Sequence, residues 1–200
     1  MVANLSNSAI GHVDIVLKNF LINKLSPIVD KNIGGIIQGK FNITNRLNQP
    51  NIQGELYIQD ASIQALNLGN LHIQTSWIDN KQCMQVTGSL TKDRQTIINL
   101  DGFYMPYHPT QQLDLIANCF QTPLAYLEPF IDVIVSQLKG ELSGKISIRG
   151  TCEKPFIKGN GTLQYLILQF KHLKAIYNGE GTIHFLGNTI HVDKLHLIDQ

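Results

Sequence analysis

Charge is in short supply in this sequence. Charged residues make up 16% of 200 residues, against roughly 25% in ordinary soluble domains. Lys+Arg total 16 and Asp+Glu 15, a formal net charge of +1. No single-sign field and no arginine-rich run is present to hold a phosphate backbone, so nucleic acid is excluded as a partner. Only three cysteines occur (Cys83, Cys119, Cys152), none at C-x-x-C spacing. That pattern excludes a disulfide framework and argues against structural zinc; the three thiols read as small hydrophobes. No run approaches the ~18 apolar residues of a membrane span. Met1 to Asn7 has neither the basic start nor the apolar core of a secretory leader.

Catalytic motifs are missing too. Gly140-Glu141-Leu142-Ser143-Gly144 puts its serine one place too late for a nucleophile elbow. Gly159-Asn160-Gly161 is half of a dinucleotide fingerprint with no helix to follow, and Gly144-Lys145 lacks the Ser or Thr of a phosphate loop. The reading is a non-enzymatic chain with no cofactor. His184, His191 and His196 fall on the polar parity of neighbouring strands, but no carboxylate or cysteine stands at ligand spacing, so they read as a solvated sheet face.

What is present is neutral polarity and isoleucine: 17 Asn, 16 Gln and 26 Ile. The 43% hydrophobic content supplies a core and excludes disorder. Polar and apolar residues alternate through Lys40-Phe41-Asn42-Ile43-Thr44, Glu55-Leu56-Tyr57-Ile58-Gln59 and Lys145-Ile146-Ser147-Ile148-Arg149, the period-2 signal of a half-buried strand. Turn residues recur every ~8–12 positions, the rhythm of antiparallel all-β structure. Two stretches depart from alternation. Leu124, Leu127, Ile131, Ile134, Val135 and Leu138 stand at helical spacing behind a Thr122-Pro123 start and before Gly140. Leu17, Phe20, Leu21 and Leu25 repeat that theme more weakly. The paired prolines around Tyr107 (Pro106, Pro109) read as a connection between strands.

An internal repeat organises the chain. Gly35-Ile36-Ile37-Gln38-Gly39-Lys40-Phe41-Asn42-Ile43 aligns without gaps on Gly140-Glu141-Leu142-Ser143-Gly144-Lys145-Ile146-Ser147-Ile148, and Pro50, Ile52, Gly54 and Gln59 meet Pro155, Ile157, Gly159 and Gln164. The sequence therefore divides into a strand plus short helical segment (1–33), a β repeat (34–121), a short helix (122–139) and an incomplete second repeat (140–200). His191 to Gln200 reads as a strand still in progress, so the chain is read as one continuous piece of a longer protein.

The order of these elements resembles the TamB family of the AsmA-like superfamily. The resemblance is carried by Lys139 to Gly150, Pro155 to Leu163, Tyr177-Asn178-Gly179-Glu180-Gly181-Thr182 and Leu195 to Asp199, and more loosely by the first repeat. It implies an elongated antiparallel sheet curled into a hydrophobic groove, with short helices at the repeat starts. It also implies a place in the bacterial envelope: periplasmic, and anchored to the inner membrane through a segment not in this sequence. The implied role is to support phospholipid transport between membranes and outer-membrane protein assembly or secretion. The implied partners are phospholipid acyl chains, an Omp85-family outer-membrane barrel and the remainder of the parent chain.

Physical reasoning alone leaves two architectures. A sheet with one apolar face must cover it with a second layer, with itself or with a ligand, giving a sealed sandwich or an open groove. In the groove, Ile37, Phe41, Ile43, Leu142, Ile146 and Ile148 line the interior, while Glu141, Ser143, Lys145, Ser147 and Arg149 face water. The alternative is a secreted or surface β-rich structural or adhesive module with a sealed core; a hydrolase on a β-sandwich stands further off.

Overall fold

The computed structural model describes residues 2–6, 11–25, 32–46, 49–64, 66–128, 135–172, 176–187 and 189–199. Their structure is all-β and antiparallel, in two compact units, Met1–Gln112 and Leu113–Gln200. The first unit holds β1 (Val2–Ser6), β2 (Gly11–Leu21), β3 (Ile33–Arg46), β4 (Gln49–Ile63), β5 (Leu66–Ile78), β6 (Cys83–Lys92) and β7 (Gln95–Tyr104). The second holds β8 (Leu113–Pro123), β9 (Val135–Gly150), β10 (Pro155–Phe170), β11 (Ile176–Leu186) and β12 (Thr189–Asp199). Within each unit every strand pairs with its neighbours in sequence, and the described strands do not close into a barrel. No second layer lies over either sheet among the described residues. Among the described apolar and polar side chains even the best buried, Cys83, keeps 3% of its surface.

The repeat survives into register. Ile37 faces Ile58 across β3–β4, and Leu142 faces Leu163 across β9–β10, each residue displaced by the same 105 positions. Beyond a bulge, Ile33 opposite Ile63 matches Leu138 opposite Leu168 in the same way. The strand before each repeat also corresponds: Leu17 faces Gly39 in β2–β3, and Cys119 faces Gly144 in β8–β9. The correspondence in register thus also reaches the strand that precedes each repeat.

Bulges explain the apparent helices. In β2 the register shifts between Leu17 and Phe20, in β4 between Ile58 and Ala61, in β8 between Cys119 and Thr122, and in β10 between Leu163 and Leu166. Each shift holds a residue of positive φ (Asn19 47°, Asp60 51°, Gln121 47°, Tyr165 53°). An extra residue in one strand lets positions i and i+3 share a face while the two between them point outward. Cys119 and Thr122 are buried around exposed Phe120 and Gln121, and Leu163 and Leu166 around exposed Gln164 and Tyr165. Spacing of i, i+3 is also the helical signal, and in β2 it produced the weaker of the two helical readings. The helical content there is a single 3-10 turn at Ile22–Leu25, with a second at Leu124–Leu127. Leu17–Leu21 and Val135–Leu138 are strand; residues 26–31 and 129–134, the rest of the expected helices, lie outside the described residues. Gly140, read from sequence as a helix-ending glycine, sits inside β9 with φ 119° opposite the β10 bulge.

The apolar face of each sheet is creased where glycine allows it. A Cβ on Gly54 would run into the Lys40 carbonyl oxygen and stand 2.8 Å from Phe41 Cα. Its repeat equivalent, Gly159, has the same relation to the Lys145 carbonyl and to Ile146 Cα, also at 2.8 Å. Both obstacles are backbone and cannot rotate aside. Gly88, on the same face, has nothing nearer than the His72 carbonyl oxygen at 3.4 Å. Gly54→Ala should therefore cost about 3 kcal/mol, the upper part of the overpacking range, and lower the melting temperature by several degrees. Gly88→Ala should be nearly neutral. Thermal denaturation followed by circular dichroism compares the two directly; equal melting temperatures would mean that the crease imposes no steric demand.

Candidate functional site

Alternation gives each sheet one apolar and one polar face, and antiparallel register joins like residues into rows. In the first unit one row runs Phe20–Ile37–Ile58–Leu71–Leu90–Ile98, and a second Ile15–Phe41–Gly54–Thr75–Val86–Gly102. The first row is the better covered. Ile37, Ile58 and Ala61 form a buried cluster, with Phe20, Ile22 and Leu68 packed against it. Ile22 comes from the 3-10 turn, which closes this end of the apolar face. Trp77, Met84 and Tyr104 stand at the other end, where Met84 pairs with both neighbours. Tyr107, in the loop after β7, meets the Trp77 ring edge-on at 6.2 Å. That loop is held by a backbone bond from Met105 to Gln112 and by amides of Thr110 and Gln111 donating to His108 Nδ1.

The second unit repeats the scheme, with Thr122–Leu142–Leu163–Gly181 in one row and Ala117–Ile146–Gly159–Phe185–Ile190 in another. Phe41 and Ile146 occupy equivalent places, each a large side chain beside a glycine whose missing Cβ leaves room above the neighbouring strand. The residues expected to line a groove thus share one face within each unit: Ile37, Phe41 and Ile43 in the first, Leu142, Ile146 and Ile148 in the second. Ile37 and Leu142 are buried, each only 6% exposed, while the other four are half-buried. On the opposite face Lys145 and Arg149 are exposed, Arg149 paired with Asp114 at 3.0 Å. Glu141, Ser143 and Ser147 are half-buried, and Glu141 Oε2 is enclosed without a hydrogen-bond partner among the described residues.

Sequence reasoning about the apolar face did not anticipate a feature of the polar one. An open depression of roughly 670 Å³ lies over the middle of the first unit. Its floor is mainly polar-face residues: Asp14, Asn42 and Gln53 in one row, Lys40, Glu55, Gln74 and Thr87 in the next, with Ser76 and Gln85 beyond. Asn42 Nδ2 donates to Asp14 Oδ1 at 3.0 Å, and His12 Nε2 lies 3.0 Å from Asp14 Oδ2, so the end nearest β2 is held rigid. The abundance of Asn and Gln was its signal in the sequence.

His184 and His191 also lie on the polar face, in the second unit. His184 faces His191 across β11–β12, with Nδ1 at 2.8 Å from Asn160 Oδ1 and Nε2 at 3.3 Å from Asp193 Oδ2. The His196 side chain is outside the described residues. Among the described residues no three His, Cys, Asp or Glu side chains converge on a point where an ion could sit. No family model, curated protein or solved structure matches the chain.

The cysteines divide. Cys83 and Cys119 are buried on strands, but Cys152 lies exposed in the turn between β9 and β10, which corrects its reading as a small hydrophobe. Burial pushes the Cys119 thiol above its ordinary pKa, with a hydrogen bond to Thr122 pulling weakly the other way. A protonated, buried thiol is inert to alkylation. The native chain should therefore consume one equivalent of a thiol reagent rapidly at neutral pH, at Cys152, and three after denaturation. Mass spectrometry of the alkylated peptides reads the site; fast labelling at Cys119 would contradict its placement.

Proposed function

We propose that the chain carries or shelters lipid acyl chains along the apolar face of its sheets, as part of an envelope protein resembling the TamB family. The observation that carries this reading is a single-layer sheet in each unit with one continuous apolar face and no second layer among the described residues to seal it. Such a face needs an apolar cover. An acyl chain fits the need, since each CH₂ taken from water is worth about 0.8 kcal/mol, and two ~16-carbon tails together about 25 kcal/mol. The half-buried positions Phe41, Ile43, Ile146 and Ile148 lie along this face, while Ile37 and Leu142 pack at its closed end. A bacterial envelope setting, phospholipid movement between membranes, support for outer-membrane protein assembly and an Omp85-type barrel partner come to this reading from the resemblance.

The test is a charge on the face. Ile146 stands between Ala117 and Gly159, small neighbours that leave an aspartate room for water without unfolding the strand. Even so, an ionised group in an apolar track carries a desolvation penalty of several kcal/mol, so the track should no longer hold acyl chains. Native mass spectrometry of the purified chain should show co-purifying phospholipid, and Ile146→Asp should lose it while keeping the parent's circular dichroism spectrum. Ser147→Asp, one residue along and on the other face, should retain it. A lipid-free parent chain, or equal lipid in both variants, would remove the basis of the proposal.

A further inference from the structure

The depression of the first unit is lined mainly from the polar face, opposite the proposed lipid track, and shares with the apolar row only Phe41, Gly54 and Thr75. We propose that it is a binding site for a neutral glycan chain.

Its chemistry selects the ligand class. The planar amides of Asn42, Gln53, Gln74 and Gln85 line it, and each amide offers donors and acceptors at once. A sugar hydroxyl is likewise donor and acceptor, so paired hydroxyls match an amide edge without leaving a group unsatisfied. The side chains of Gln53, Gln74 and Gln85 make no hydrogen bond within the described residues, so their amides are available. Asn42 is fixed by Asp14, which gives the site one preset end.

Other ligand classes fit less well. The lining holds one cation, Lys40, against two carboxylates, Asp14 and Glu55, so phosphate-rich ligands are disfavoured. The two carboxylates sit on β2 and β4 with β3 between them, too dispersed to clasp a metal ion. A peptide docking by strand addition needs a free backbone edge, whereas β3, β4 and β5 are each paired on both sides.

An aromatic pair flanks the depression without lining it. Tyr57 and His72 are the next polar-face residues along β4 and β5 from Glu55 and Gln74, and they pair across the strands. Their rings lie 5.1 Å apart, and Tyr57 is 51% exposed. An aromatic face beside a row of amides gives a pyranose both of its requirements: a surface for its C–H face and partners for its hydroxyls. The volume, roughly 670 Å³, falls within the ~300–1,000 Å³ of small-ligand sites.

The experiment is a titration of the ¹⁵N-labelled chain with maltoheptaose, cellohexaose and chitohexaose, read by the side-chain amide resonances of Gln53, Gln74 and Gln85. At least one of the three oligosaccharides should shift these resonances saturably. The double variant Gln53→Ala, Gln74→Ala should weaken the binding at least tenfold with an unchanged melting temperature, and Tyr57→Ala should weaken it independently. Arg149→Gln, on the polar face of the second unit, should bind like the parent. No saturable shift with any of the three oligosaccharides, or binding that survives both the double variant and Tyr57→Ala, would overturn the proposal.

Discussion

One face of each sheet is apolar and no second layer rests on it among the described residues; the other features answer to that condition. A layered domain hides such a face against helices or another sheet. Among the described residues the cover comes from neighbouring strands and, in the first unit, from a 3-10 turn at one end. Burial is correspondingly partial. Ile37, Ile58 and Ala61 are nearly enclosed because Ile22 and Phe20 reach over them, whereas Phe41 and Ile43 on the same strand are half open. Stability then rests on backbone pairing and on row-by-row side-chain contact rather than on a central core, so register carries unusual weight. A slip of one residue would turn the whole apolar row to water.

Bulges and glycines make the bending possible, and they recur at equivalent places. A flat pleated ribbon cannot bring side chains of adjacent strands close enough to shield one another. The extra residues at Asn19, Asp60, Gln121 and Tyr165 add twist along one line of each sheet, and Gly54 and Gly159 let the adjoining strand approach closer than a Cβ permits. A bulky Tyr165 at φ 53° is costly for an aromatic residue, yet the alignment of its bulge with that of Asp60, 105 residues earlier, shows the position to be part of the repeat rather than an accident.

The repeat and the strands were legible because period-2 alternation and glycine spacing report directly on local geometry. Lys40 to Thr44 and Lys145 to Arg149 could be nothing else. The helical reading at Leu17 to Leu21 was misjudged because a bulged strand writes i, i+3 spacing into its sequence: Leu17 and Phe20 carry it by bulging, not by coiling. Gly140 shows the same ambiguity, since positive φ serves a helix end and a bulge equally well. The polar depression escaped notice for a different reason. Its residues are far apart in sequence, from Asp14 to Thr87, and are brought together only by the register of five strands. Composition recorded the amides but could not place them.

The two faces impose different demands, and the amide-rich composition follows from both. A single-layer sheet exposes its polar face along its whole length, so every second residue must be soluble. Charged residues would accomplish that, but rows of like charge directly across strands repel, and opposite charges would cross-link the rows. Neutral amides satisfy the solvent without either effect, which is why Gln53, Gln74 and Gln85 can sit on adjacent strands around one depression. The same choice leaves that face without a field to attract ions while offering paired donors and acceptors at fixed spacing. Solubility and the proposed recognition of an uncharged, hydroxyl-rich partner thus draw on one chemical solution, and the apolar face is left to the acyl chains proposed for it.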